Sequence, residues 1–237
     1  MDNKNTLLPA NGNNSLPLPG MLGRRKFLSY MGLAATSATV LAACRKDKDD
    51  NNNMPPGSID LGTGDIGILN YAYALEQLEA AFYTQVINSP FSGMTANEQS
   101  LLTDIRDHEI AHREFFKAAL GAMAIKSLEV NFSSVNFGSR DSVLATSKAF
   151  EDLGVSAYNG AGQLIKDSNY LLLAGKIVSV EARHAALIRD LISNGSFADN
   201  TVIDMNGLDL ASKPADVLTT ASVFLKSKLY AGNLPTS

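Results

Sequence analysis

No tryptophan and a single cysteine, Cys44, occur among the 237 residues. A disulfide within the chain is therefore impossible, and stability has to come from a packed core. Histidine is almost as scarce, with three copies, so the place of each one carries weight. Basic clusters are missing from most of the chain. Beyond residue 43 it has 16 Lys and Arg against 23 Asp and Glu, a net charge of −7, which argues against binding nucleic acid. A long apolar run is missing too. Residues 27–43, FLSYMGLAATSATVLAA, are apolar for 17 residues but contain Ser and Thr, which is short and weak for a membrane span.

That short run has a different use. Arg24-Arg25-Lys26-Phe27-Leu28 before it is a twin-arginine motif, and Leu41-Ala42-Ala43-Cys44 at its end resembles a lipobox with Cys44 as the lipidated residue. Residues 1–43 are thus expected to be an export signal, with Met1 or Met21 as its start. Residues 44–58 read as the lipid anchor and a flexible linker, polar and proline-bearing with no apolar period. The expected product is an exported lipoprotein on the periplasmic side or the cell surface. Residues 59–237 remain as one domain, long enough for a real core.

Within that domain two of the three histidines sit in copies of Glu-x-x-His, Glu109-Ile110-Ala111-His112 and Glu181-Ala182-Arg183-His184. Residues i and i+3 of a helix face one way, so each copy presents a carboxylate beside an imidazole. Leu102, Ile105, Phe116 and Leu120 share the face of the first copy, and Tyr170, Ile177, Ile188 and Leu191 that of the second. Each pair thus interrupts an apolar stripe. Carboxylates buried there need a compensating charge, and a metal ion supplies one.

A second repeat precedes each copy. EQLEAAFY and EDLGVSAY match at Glu76/Glu151, Leu78/Leu153 and Tyr83/Tyr158. Seven residues are about two helical turns, so Glu and Tyr share a face. The same alignment puts Glu79 opposite Gly154, which leaves Glu79 as an extra candidate ligand and favours Glu76. Four inward carboxylates carry −4, and two divalent ions neutralise them. Tyr83 and Tyr158 are either packing residues or hydrogen-bond partners of the carboxylates. His108 flanks His112 on the side away from Glu109.

Two glutamates and two Glu-x-x-His copies on four helices resemble the ferritin-like superfamily over about residues 66–193, closest to its exported bacterial and desiccation-related members. The resemblance implies an all-α fold: a four-helix bundle of two antiparallel hairpins with a long crossover between the second and third helices, plus a fifth C-terminal helix. It implies a metal site of Glu76, Glu109, His112, Glu151, Glu181 and His184, with Glu109 and Glu181 bridging. It also implies two iron ions, or manganese, meeting O₂ or peroxide, and hence a ferroxidase-like or peroxidase- or catalase-like activity. A stress-related surface lipoprotein with a purely structural metal is the alternative. A third reading is a zinc protease through His108-Glu109-Ile110-Ala111-His112, but it leaves Glu76, Glu151, Glu181 and His184 unused, and Val180 stands where the second copy would need His. A monomer or small oligomer is expected, since a lipid at Cys44 pins each chain to a membrane.

The helices are expected over residues 65–88, from a capping box of Thr95 and Glu98 to Leu120, over 141–166, from a cap at Ser168 to Ser193, and from Pro214 to Leu229. For export, Arg24→Lys with Arg25→Lys should leave unprocessed precursor in the cytoplasm, and Cys44→Ser should block lipidation and its linked cleavage. Fractionation and mass measurement read both, and export that continues without the arginines would exclude the twin-arginine route.

Overall fold

The computed structural model describes residues 54–236. The twin-arginine motif, the 27–43 segment, Cys44 and most of the linker lie outside the described residues. The elements run β1 (Ile59–Asp60), α1 (Gly64–Asn88), α2 (Ala96–Leu120), α3 (Arg140–Gly162), α4 (Ser168–Ile192), α5 (Pro214–Ala221) and β2 (Leu229–Tyr230), with short 3₁₀ turns at Gly121–Met123 and Ser222–Phe224. The all-α bundle expected from the sequence is the fold found. α1 packs on α2 and α3 on α4 as antiparallel hairpins, and the hairpins meet chiefly through α1 and α3.

Helix α1 is apolar nearly all round, and every residue from Gly67 to Ala80 is buried. A helix of that composition belongs at the centre. The others bury one stripe each: Leu102, Ile105, Glu109, Phe116 and Leu120 on α2, and Ile177, Glu181, His184 and Ile188 on α4. Thr95 and Glu98 do form the capping box that starts α2. Arg140 locks that cap from α3, with Nε donating to Glu98 Oε1 at 2.6 Å and Nη2 donating to the Leu191 carbonyl at 2.8 Å.

Three boundaries depart from the sequence expectation. α3 ends at Gly162, four residues before Lys166, because Asp65 at the start of α1 accepts the Lys166 and Asp167 amides at 2.9 and 2.8 Å. A continuing helix would have used the Lys166 amide for itself. α4 is capped by Asp167, whose Oδ1 accepts the Asn169 amide at 2.7 Å, and not by Ser168. α5 stops at Ala221, far short of Leu229. The chain beyond it is taken by tertiary partners: Asn131 donates to the Phe224 carbonyl at 2.7 Å, Phe224 stacks edge-on against Phe150, and β2 pairs in parallel with β1.

The long crossover between α2 and α3 is held by polar side chains of the central helix. Asn70 donates to the carbonyls of Leu61 and Met123 and accepts the Ile125 amide, while Gln77 accepts the Leu128 amide. These bonds satisfy backbone groups that would otherwise be buried without partners. The expected extended character of LEVNF survives only as an isolated bridge between Val130 and Leu225.

After α4 the chain crosses α3 in close contact. Ser212 donates its amide to the Ser156 carbonyl at 2.9 Å, and a Cβ on Gly160 would fall 1.8 Å from the Ser212 carbonyl oxygen. Neither group is a flexible side-chain end. Gly160→Ala should therefore lift the crossing segment off α3 and destabilise the domain by about 1–3 kcal/mol, the usual cost of overpacking. Thermal melts of wild type and variant test this, while Gly175→Ala, where a Cβ meets nothing within 4 Å, should be neutral or slightly stabilising.

Candidate metal centre

Six side chains from four helices converge in the middle of the bundle: Glu76 from α1, Glu109 and His112 from α2, Glu151 from α3, and Glu181 and His184 from α4. They form two clusters whose atoms lie within 4.8 Å of one another and could hold a metal ion, one of Glu76, Glu109, His112 and Glu181, the other of Glu109, Glu151, Glu181 and His184. Glu109 and Glu181 belong to both. All four of these glutamates are fully buried, at 0 % exposure, in an apolar core.

The clusters are related by an approximate twofold arrangement that follows the sequence repeat. His112 Nδ1 lies 2.8 Å from Glu181 Oε1, 3.4 Å from Glu76 Oε2 and 3.6 Å from Glu109 Oε2. His184 Nδ1 lies 2.8 Å from Glu109 Oε1, 3.5 Å from Glu151 Oε2 and 3.4 Å from Glu181 Oε2. Each shared carboxylate thus turns one oxygen to each imidazole.

The tyrosines cross between the halves. Tyr83 of the first donates to Glu151 Oε1 of the second at 2.5 Å, and Tyr158 of the second donates to Glu76 Oε1 of the first. Each outer glutamate therefore has one oxygen held by a phenol and the other turned inward. Among the described residues the inward-facing atoms find no aligned hydrogen bond: Glu76 Oε2, Glu151 Oε2, both oxygens of Glu109 and of Glu181, and Nδ1 of both histidines. Eight such atoms in one buried space are costly unless a cation sits among them. The close Nδ1 contacts are electrostatic approaches, not directed hydrogen bonds.

Protons respond to the same strain. Burial opposes a charged imidazole, but the surrounding glutamates outweigh it and push His112 and His184 each up to about 12. Burial likewise opposes ionisation of Glu109, yet the two imidazoles prevail and hold its carboxyl down to about 2. At Glu151 burial wins, only partly offset by His184, and the carboxyl rises to about 8. Glu76 is raised well above the usual range by burial and then by Glu181. With no metal among these groups, protons are the cations that keep them near neutrality.

Glu79 belongs to neither cluster. It is buried, and its Oε1 occupies the space beside Gly154, where an added Cβ would lie 3.2 Å away. Burial and then the charge of Glu109 raise its carboxyl well above the usual range. The sequence alignment of Glu79 with Gly154 is thus a steric pairing: one half lacks a side chain where the other half inserts a carboxyl.

His108, which the sequence places beside His112 on the side away from Glu109, makes its contact with the other half. Exposed on α2, it meets His184 edge to edge, with ring centroids 5.1 Å apart, planes inclined by 10°, and its Nδ1 2.9 Å from His184 Nε2. It stands outside both clusters. The two imidazoles of His108-Glu109-Ile110-Ala111-His112 therefore do not converge on one point, as the zinc-protease reading requires.

A family model described as a ferritin-like domain matches residues 64–194. That is more than half of the chain and covers α1 to α4, so the chain belongs to the ferritin-like family. No curated protein matches it.

Because metal-free protein keeps protons that a cation would displace, metal binding near pH 7 should release protons and tighten as the pH rises. The tightening should run through about 8, where Glu151 gives up its proton, and beyond, since both histidines hold theirs up to about 12. Calorimetric titration in two buffers of different ionisation heat measures the release. Heats that do not depend on the buffer would mean that these groups are not displaced.

Proposed function

We propose that this ferritin-like protein holds two divalent ions, iron or manganese, in its bundle core and uses them to oxidise Fe(II) or remove peroxide. The observation that supports the reading most is the set of eight inward oxygens and nitrogens left without hydrogen bonds. Glu76 and His112 would hold one ion, Glu151 and His184 the other, with Glu109 and Glu181 shared between them. Four carboxylates balance two divalent charges, and Glu79 then fits as a protonated, neutral neighbour. Carboxylate-rich donors with one imidazole per ion suit iron or manganese better than structural zinc, which prefers thiolate or histidine sites, or calcium, which has no use for imidazole. Such a metal pair, when bound, supplies two electrons to O₂ or peroxide.

The chain's own part is to position and to exclude. Tyr83 and Tyr158 fix the rotation of Glu151 and Glu76, so that one oxygen of each is turned inward before any ion arrives. Exchanging these bonds between hairpins also couples closure of the bundle to assembly of the site. Burial of the four glutamates and His184, with His112 only partly exposed, keeps bulk water away from the donors and strengthens their electrostatic hold.

The leader would place this chemistry outside the cytoplasm, on a lipid at Cys44, as a monomer or small oligomer. Export of an already folded chain would let the cytoplasm choose the ion. That is useful because raw affinity favours copper or zinc over iron and manganese.

Metal analysis of the purified protein is the test. Two ions per chain are expected, falling to one or fewer in Glu109→Ala and in His184→Ala, and unchanged content in both would overturn the site. Glu76→Ala should slow aerobic Fe(II) oxidation more than Glu79→Ala does. The reverse order would make Glu79 the ligand from α1. Metal content of two without any Fe(II) oxidation or peroxide loss would point to a structural role.

A further inference from the structure

We infer that the two metal positions are unequal, because His108 positions His184 through its outer ring nitrogen and no described residue does the same for His112. This rests on the two-ion reading above and deepens it. The ion held by Glu151 and His184 binds first and more tightly, and the ion held by Glu76 and His112 is the exchangeable one.

The two halves match closely in everything that touches the inward atoms. Each histidine has Nδ1 at 2.8 Å from one shared carboxylate and within 3.6 Å of two others. Each outer glutamate has its tyrosine. The difference lies one step outside. For Nδ1 of either histidine to offer a lone pair to a cation, its proton must sit on Nε2. His184 Nε2 has an acceptor waiting, His108 Nδ1 at 2.9 Å, in a ring parallel to its own. That bond selects the binding tautomer and holds the ring in its binding orientation.

His112 has no such partner among the described residues. Among the described residues its Nε2 makes no hydrogen bond, and the residue that the repeat places opposite His108 is Val180, whose side chain can accept none. Loss of an outer partner of a ligating histidine commonly weakens metal affinity 10- to 100-fold. A gap of about that size is expected between the two binding steps. Glu79, the other break in the repeat, does not cancel it, since Glu79 enters neither cluster.

His108 is exposed, so its replacement leaves the core packing alone. The test uses the full chain in wild-type, His108→Val, His108→Gln and Val180→His forms, titrated anaerobically with Fe(II) by calorimetry. Wild type should show two resolved steps. His108→Val should weaken the tighter step roughly 10- to 100-fold while stoichiometry stays at two, and His108→Gln, which keeps an acceptor, should restore much of it. Val180→His should tighten the weaker step. Nitrogen-15 NMR of the histidine rings in metal-free protein gives a second readout, since the His184 Nε2 signal should shift in His108→Val and the His112 signals should not.

Two equal steps in wild type, or steps unchanged in His108→Val, would overturn the inference and leave the two-ion site standing. Failure of wild type to bind any metal would instead overturn the two-ion reading and the inference together.

Discussion

Four carboxylates fully removed from water in the centre of an apolar bundle are the constraint on which the rest of this structure depends. Each would cost several kcal/mol if left charged and alone. The chain meets that cost in layers. Tyr83 and Tyr158 take one oxygen of each outer glutamate, two histidines stand against the inner oxygens, and the remaining donors face a common space. A bundle with so many unpaired polar atoms at its midpoint stays intact only if protons or metal ions share that space. Folding stability and metal affinity are therefore two readings of one charge balance.

The crossed tyrosine bonds explain why the two hairpins need each other. Within a hairpin, helices pack along their apolar stripes and would do so without the other half. Neither hairpin alone can complete its outer glutamate, because the phenol that holds it comes from the opposite half. Central helix α1 binds the whole together, buried over its middle and carrying Asn70 and Gln77 to pin the long crossover. The chemistry and the topology thus make the same demand: a connection long enough to bring the second hairpin over the first.

Departures from internal symmetry mark where the halves have taken separate roles. Glu79 occupies the space that Gly154 leaves empty, and His108 supports His184 where Val180 offers nothing to His112. Neither departure changes the six converging residues themselves. The second alters what surrounds one of them, and the proposed difference in affinity between the two positions rests on it.

The six converging residues were legible in the sequence because helical geometry is periodic. Glu109 with His112, and Glu181 with His184, lie three apart on stripes otherwise apolar, and the repeat of Glu76…Tyr83 in Glu151…Tyr158 picked the remaining glutamates. Local signals also located the capping box at Thr95 and Glu98 and the start of α5 at Pro214. What failed was whatever a distant partner decides. Asp65 ends α3 early by taking amides about a hundred residues away, and pairing with β1 and the crossover turns the chain beyond Ala221 from helix to strand. No periodicity encodes such contacts. That each tyrosine binds the glutamate of the other half, and that His108 reaches His184 and not His112, likewise required the folded chain. Sequence fixes which face of a helix a side chain occupies, since that depends only on spacing along one element. Which partner that face meets depends on how the helices are laid against one another, and only tertiary packing decides it.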